Sequence, residues 1–173
     1  MTSEEVFTVL RDVILSVTGV EECIQANPNG QAPAGGYASV LVSDHVIPQS
    51  RGSVYQKVDE AAGIMECQTK FPAVRQVTVN FWRGKAVDRA TKLTRIHYLP
   101  AVADRLFAAG IGIAEVSAVQ NLTALQSNQM EQRAAVTMSV VTMEEVSETV
   151  GIIKHLNGIV VDEKNRKIQT FEV

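Results

Sequence analysis

The stretch "RQVTVNFWRGKAVDRATKLTRIH", Arg75 to His97, changes its period halfway along. From Val74 to Trp82 the residues alternate, with Val77, Val79 and Phe81 on one face and Thr78, Asn80 and Trp82 on the other. That period of two marks a half-buried strand. Arg83-Gly84 ends it. Beyond this turn Ala86, Ala90, Leu93 and His97 recur at helical spacing, which predicts a helix over Lys85–Ala109. His97 on that stripe is expected as a core or interface imidazole. Pro100 should kink this helix or split it in two, because proline lacks an amide donor and clashes with the preceding turn. Gly110 and Gly112 close it.

The same reading extends to both ends of the chain. Glu4–Thr18 predicts a helix with Val6, Leu10, Val13, Ile14 and Val17 on one stripe. Thr2 and Glu5 have capping-box spacing, and Gly19 is a natural stop. A short extended piece follows at Cys23–Ala26. A loop dense in Gly and Pro, "NPNGQAPAGG", then feeds a strand over Tyr37–Ser43. Residues 47–63 show neither period and read as a long excursion. Ile64–Lys70 and Val74–Trp82 read as two strands parted by a turn at Phe71-Pro72-Ala73, since Pro72 cannot donate to a ladder. Ile113–Val119 is a strand, "QNLTALQSNQMEQ" a polar connection, and Arg133–Met143 a central strand with Ala134, Val136, Met138 and Val140 on one face. Residues 149–173 read as a β-meander, with turns at Asn157-Gly158 and at "DEKNRK". The expected fold is a single α+β domain, residues 1–173. A mostly antiparallel mixed sheet is packed by an N-terminal helix and a central Pro-kinked helix.

Composition narrows the function. The 173 residues are 46% hydrophobic but only 5% aromatic, so an aliphatic core is expected. Lys plus Arg is 16 against 19 for Asp plus Glu, a formal charge of −3, which disfavours tight sequence-independent nucleic-acid binding. Cys23 and Cys67 fit neither a metal motif nor a disulfide framework and are expected as reduced, mostly buried thiols. "MTSEEVFTVLRDV" is charged and amphipathic, unlike a signal peptide. No apolar run approaches the ~20 residues that cross a bilayer. These features predict a chain made in a cytoplasm and not addressed out of it by these routes.

Nothing in the sequence builds a catalytic motif. A phosphate loop follows a strand and opens a helix, whereas the glycines of 27–36 precede a strand and lack both Gly-Lys-Ser/Thr and G-x-G-x-x-G. Ser43, Asp44 and His45 are consecutive, so strand neighbours among them point to opposite faces. His45, His97 and His155 have no metal-motif spacing. Glu144, Glu145 and Glu148 cluster after the long strand, where a solvated connection or an interface to Arg or Lys is expected. Arg89, Lys92 and Arg95 line one helix face, with Arg83 and Lys85 close by. We therefore expect no catalytic residue, cofactor or metal site.

Four stretches together resemble the tail terminator and neck proteins of long-tailed bacteriophages. They are the helix "EEVFTVLRDVILSVTG", the loop and strand "CIQANPNGQAPAGGYASVLV", the strand-to-helix passage quoted first, and "GIGIAEVSAVQNLTALQSNQMEQRAAVTMSV". The resemblance implies a non-enzymatic virion protein at the tail–neck junction, assembled in the host cytoplasm. It implies a homo-oligomeric ring, commonly a hexamer, that caps the tail tube, ends its polymerisation and joins it to the neck or connector protein. A sheath protein is a further partner if the tail is contractile. DNA would pass through the lumen without being read, and no membrane is involved. The ring seam is expected to use residues such as Trp82, Arg83, Arg89, Glu144 and Glu148. The alternatives are another neck or head-completion connector and, from a different class, a small ligand-binding or enzymatic α+β domain.

Overall fold

The computed structural model describes residues 1–26, 31–59, 61–126, 129–152, 157–161, 163 and 167–172. Helix α1 (Ser3–Thr18) forms where the apolar stripe predicts it. Thr2 and Glu5 make the reciprocal capping box, and Gly19 ends the helix in the left-handed conformation at φ 64°. Strand β1 (Glu22–Gln25) lies parallel to β2 (Tyr37–Pro48). Strands β3 (Ser53–Asp59) and β4 (Ile64–Trp82) pair antiparallel. Helices α2 (Ala86–Leu93) and α3 (Pro100–Ala108) flank a 3-10 turn at Ile96–Tyr98. Strand β5 (Ile111–Val116), the short β6 (Gln120–Asn121), the hairpin β7 (Ala124–Gln126)–β8 (Gln129–Glu131) and the long β9 (Arg133–Gly151) follow. Strands β10 (Asn157–Val161) and β11 (Lys167–Glu172) close the chain. Three helices and a strand-rich, mostly antiparallel mixed sheet make the α+β class.

The chain divides into two compact units: Met1–Arg51 with Phe71–Glu144, and Gly52–Lys70 with Glu145–Val173. Two of its boundaries fall inside strands β4 and β9, and the third falls in the connection between β2 and β3. In the first unit the order is β1-β2-β4-β9-β5. Register sets Ala38 opposite Phe81, Val40 opposite Val79 and Val42 opposite Val77, so these share one face. They meet Val6, Leu10, Val13 and Ile14 of α1, and Ala134, Val136, Met138 and Val140 of β9 complete the core. Ala86, Ala90 and Leu93 of α2 are buried in the same cluster. In the second unit β3 pairs with the first half of β4, and the far half of β9 follows alongside. Glu145 takes a hydrogen bond from Gln68 and pairs with Lys70 at 3.2 Å, and Ile152 N–H donates to the Gly63 carbonyl at 3.1 Å. Strands β10 and β11 form an antiparallel hairpin.

Several expectations are corrected. The turn at Phe71-Pro72-Ala73 does not exist, and β4 runs straight through it. The ladder partner changes there, from β3 at Lys70 to β2 at Ala73. Pro72 offers its carbonyl to Gln49 at 2.9 Å. A residue's nitrogen and oxygen point to the same side of an antiparallel strand, so the missing donor faces Gln49, and the one bond forgone lies where the ladders change. Residues 47–63 include the end of β2 and all of β3. Their period was hidden because every residue of β3 is exposed and none had to be apolar for a core. The polar connection after β5 contains β6, which pairs with β9, and the β7–β8 hairpin. Glu144, Glu145 and Glu148 lie on β9 itself. The central helix is split in two at Pro100, the second of the two outcomes expected there. Pro100 starts α3, and Leu99 before it is extended, as the residue preceding a proline must be. The 3-10 turn rotates the chain, so Ile96 is buried and His97 is exposed. Asn157-Gly158 opens β10 opposite Glu172 and Phe171 and does not make a turn. The "DEKNRK" turn and His155 lie largely or wholly outside the described residues.

Phe81 is the largest fully buried side chain, at the meeting of α1, β2 and β4. Phe81→Ala should lower unfolding stability by about 3–5 kcal/mol. Urea titration should show a lower midpoint with an unchanged slope.

Candidate interaction surfaces

The quoted strand ends in a cluster of arginines and aromatics. Tyr37 and Trp82 are register partners whose rings stack at 5.8 Å and 9°. The Trp82 indole N–H donates to Ser39 Oγ at 3.0 Å. The Arg133 guanidinium lies 4.0 Å from the Trp82 ring centroid, within cation–π range. Arg83 has φ 60°, uncommon for a residue with a side chain. Four bonds hold it there. Its amide donates to the Gln132 carbonyl at 2.7 Å, its Nε to Glu131 at 3.0 Å, and its Nη1 to the carbonyls of Pro33 and Ala34 at 2.6 and 2.9 Å. Burial pushes the Tyr37 hydroxyl up, and the nearby Arg83 charge offsets part of that. Arg89 lays its buried Nη1, which has no hydrogen-bond partner, against Gly36. A Cβ on Gly36 would run into that guanidinium. The glycine-rich loop is thus gripped by two arginines on its way into β2.

A second cluster ties the first turn of α1 to the sheet. Arg75 is buried on the core face of β4. Its Nη2 donates to Glu144 Oε1 at 2.7 Å and to the Met1 carbonyl at 2.6 Å, and its Nη1 donates to Ser3 Oγ at 3.3 Å. Ser3 in turn donates to Asp44. Thr142 donates to Glu144 at 3.0 Å. Burial pushes the Glu144 carboxyl up, but the Arg75 and Thr142 hydrogen bonds and the Arg75 charge outweigh it and hold the carboxyl below its ordinary range.

The second unit presents a sheet with two unlike faces. Register places Val54, Val58, Met65 and Cys67 on one face and Tyr55, Lys57, Glu66 and Gln68 on the other. Gln68 and Lys70 reach Glu145, so alternation along β9 puts Val146, Glu148 and Val150 on the first face. Val54, Val58, Val146 and Val150 are 39–60% exposed. In the first unit, α3 and the turn before it carry another apolar patch. Tyr98 and Phe107 are 81% and 85% exposed beside a cavity of ≈ 350 Å³ lined by His97, Leu106, Ile111 and Ile113 among others.

The five expected seam residues therefore separate. Trp82, Arg83 and Arg89 gather around the Tyr37 strand start, Glu144 closes on Arg75, and Glu148 stands exposed on β9. Sequence reading missed Arg133, Glu131 and Arg75, whose partners lie about 50 to 70 residues away. It also missed the valine face, whose signal was the alternation of Val54, Val58, Val146 and Val150. Ser43, Asp44 and His45 form no relay: Ser43 Oγ accepts the His45 backbone N–H, and Asp44 serves Ser3. Among the described residues no group of three or more His, Cys, Asp or Glu is placed to hold a metal. Burial raises the Cys23 thiol to about 11, the state of an inert core sulfur. Among the described residues no helix is long and apolar enough to cross a membrane.

A family model described as phage neck terminator protein matches residues 4–164. No curated protein sequence matches. Among solved structures, the chain is similar to the sheath/tube terminator of an extracellular contractile injection system, seen by cryo-EM in the extended state. The two are 11% identical with a TM-score of 0.46, over 94% of this chain and 64% of that one. This chain thus spans less than two thirds of that protein's length.

Two outcomes follow from the clusters. Glu144→Gln should destabilise the fold by about 2 kcal/mol at neutral pH, the scale of hydrogen bonds to a charged group. A carboxyl lowered by folding contributes stability above its ordinary value of 4.5 and loses it as pH falls through the folded value. The gap between wild type and variant should therefore be full at pH 7 and shrink below that value in denaturant melts across pH. Arg133→Met should shift the emission of Trp82, the only tryptophan, and cost about 1 kcal/mol. Unchanged fluorescence would show that the ion does not sit on the ring in solution.

Proposed function

The chain belongs to the phage neck terminator protein family, and on that premise we propose that it forms a ring that caps the tail tube and joins it to the head. Its role is structural and lies in terminating the tail. In our reading the ring is a homohexamer seated on the last layer of tube. It stops polymerisation by covering the growing end and presents its far side to the neck or connector protein. Where the tail is contractile, the same ring meets the last sheath layer. DNA passes through the lumen unread, which a chain of net charge −3 favours over binding. The protein acts in the virion, is assembled in the host cytoplasm, and performs no catalysis.

One observation supports assembly most strongly. The three-stranded sheet of the second unit leaves its valine face in solvent, with Val54, Val58, Val146 and Val150 all exposed. Contiguous exposed apolar surface marks an interaction site. A sheet of this kind gains its second layer from another subunit or from the tube.

Deleting the gene and imaging the particles tests this role. Overlong tails without heads, restored to normal length by the protein in trans, are expected. Tails of normal length that merely fail to join heads would instead identify a connector and overturn termination. Purified protein should also arrest growth of tail tubes in vitro and run at ring mass when bound to them.

A further inference from the structure

Two apolar patches of unlike shape and opposite charge lie on this chain. The valine face of the second unit is a flat sheet surface. In its middle sits Glu148, exposed between Val146 and Val150, with no ion-pair partner among the described residues. The α3 patch is different. Tyr98 and Phe107 project beside a cavity floored by Leu106 and walled by Ile111 and Ile113. Arg95 begins the turn that carries Tyr98, accepting the Tyr98 N–H at 3.0 Å, and its guanidinium has no ion-pair partner among the described residues. His97 stacks edge-on with Tyr98. The other charges on α3 are Asp104, exposed, and Arg105, already paired with Asp12 at 2.7 Å.

Neither patch can cover itself. Two valine faces packed together would bring two Glu148 carboxylates into an apolar seam, where an unpaired charge is costly. Two α3 patches packed together would leave both valine faces in solvent. Valine face against α3 patch satisfies both: the valines receive the aromatic rings and the cavity, and Glu148 receives Arg95. A contact between two different patches is heterologous, the kind that builds a ring when the rotation between copies closes.

We propose that the seam between copies of this chain is formed by the valine face of one subunit on the α3 patch of the next, with Glu148 paired to Arg95 across it. This rests on the ring reading above and names its contact. The partner is a second copy of this chain, and the same two patches recur at every seam.

The test uses Val146→Asp on one patch and Phe107→Asp on the other, both at exposed positions, with far-UV spectra and melting to confirm folding. Each variant alone should raise the concentration for half assembly by about tenfold or more, on the scale of a central interface residue. Sedimentation of the full chain, alone and on purified tail tubes, reads this out. An equal mixture of the two variants retains one intact patch from each and should stop at heterodimers. Glu148→Arg and Arg95→Glu should each weaken assembly, and the two together in one chain should restore most of it. A wild-type ring that both Asp variants form equally well overturns the seam and leaves the ring. So does a mixture without heterodimers. A wild-type chain that stays monomeric both in solution and on tubes overturns the ring reading and this seam with it.

Discussion

Two adjacent strands of nineteen residues, β4 and β9, set the terms for everything else in the molecule. A strand advances about 3.3 Å per residue and a helix about 1.5 Å. The sixteen residues of α1 therefore cover about seven strand positions, and the strands outrun any single helix laid on them. Where α1 and α2 reach, alternation is buried: Val77, Val79 and Phe81 on β4, Val136, Met138 and Val140 on β9. The second unit's stretch of β9 continues the alternation through Val146 and Val150, which are exposed.

Arginine does the work of fastening. In a chain with few aromatics, Arg75, Arg83 and Arg133 take up carbonyls, carboxylates and one indole face, and Arg89 lies against Gly36. Each connects segments far apart in sequence. The planar guanidinium suits this task, since one group can serve a carbonyl and a carboxylate at once, as Arg75 does with Met1 and Glu144. Of the residues expected at a subunit seam, Trp82, Arg83, Arg89 and Glu144 also make contacts within the subunit, and Glu148 stands exposed with no ion-pair partner among the described residues.

The parts of the fold legible in sequence were those with a local cause. The α1 stripe and its capping box, the alternation from Val77 to Phe81 and from Ala134 to Val140, and the break at Pro100 each depend on neighbours within one or two turns. What was hidden depended on distant partners. Pro72 looked like a turn because its missing donor counts only if a partner strand waits for it, and here the ladders change at that point. Strand β3 carried no core pattern because it touches no core. His97 was placed inward by a helical count that the 3-10 turn then rotated. The glycine-rich loop was legible as a connection into β2, but not the reason for Gly36, which lies in an arginine 53 residues later. The interaction surfaces were least legible of all, since exposed valines on a strand look the same in sequence as buried ones.

The Arg75 cluster also fixes an order of events during synthesis. Arg75 reaches back 74 residues to Met1 and forward 69 to Glu144. Helix α1 leaves the ribosome before the strand bearing Glu144, which follows more than a hundred residues later. At ribosomal speeds of roughly 5–20 residues per second, the apolar stripe of α1 waits on the order of ten seconds for the sheet to be complete. Topology of this kind, dominated by contacts between remote segments, folds slowly. The first unit therefore closes only once β9 has been made, since its buried arginine has no carboxylate partner until then.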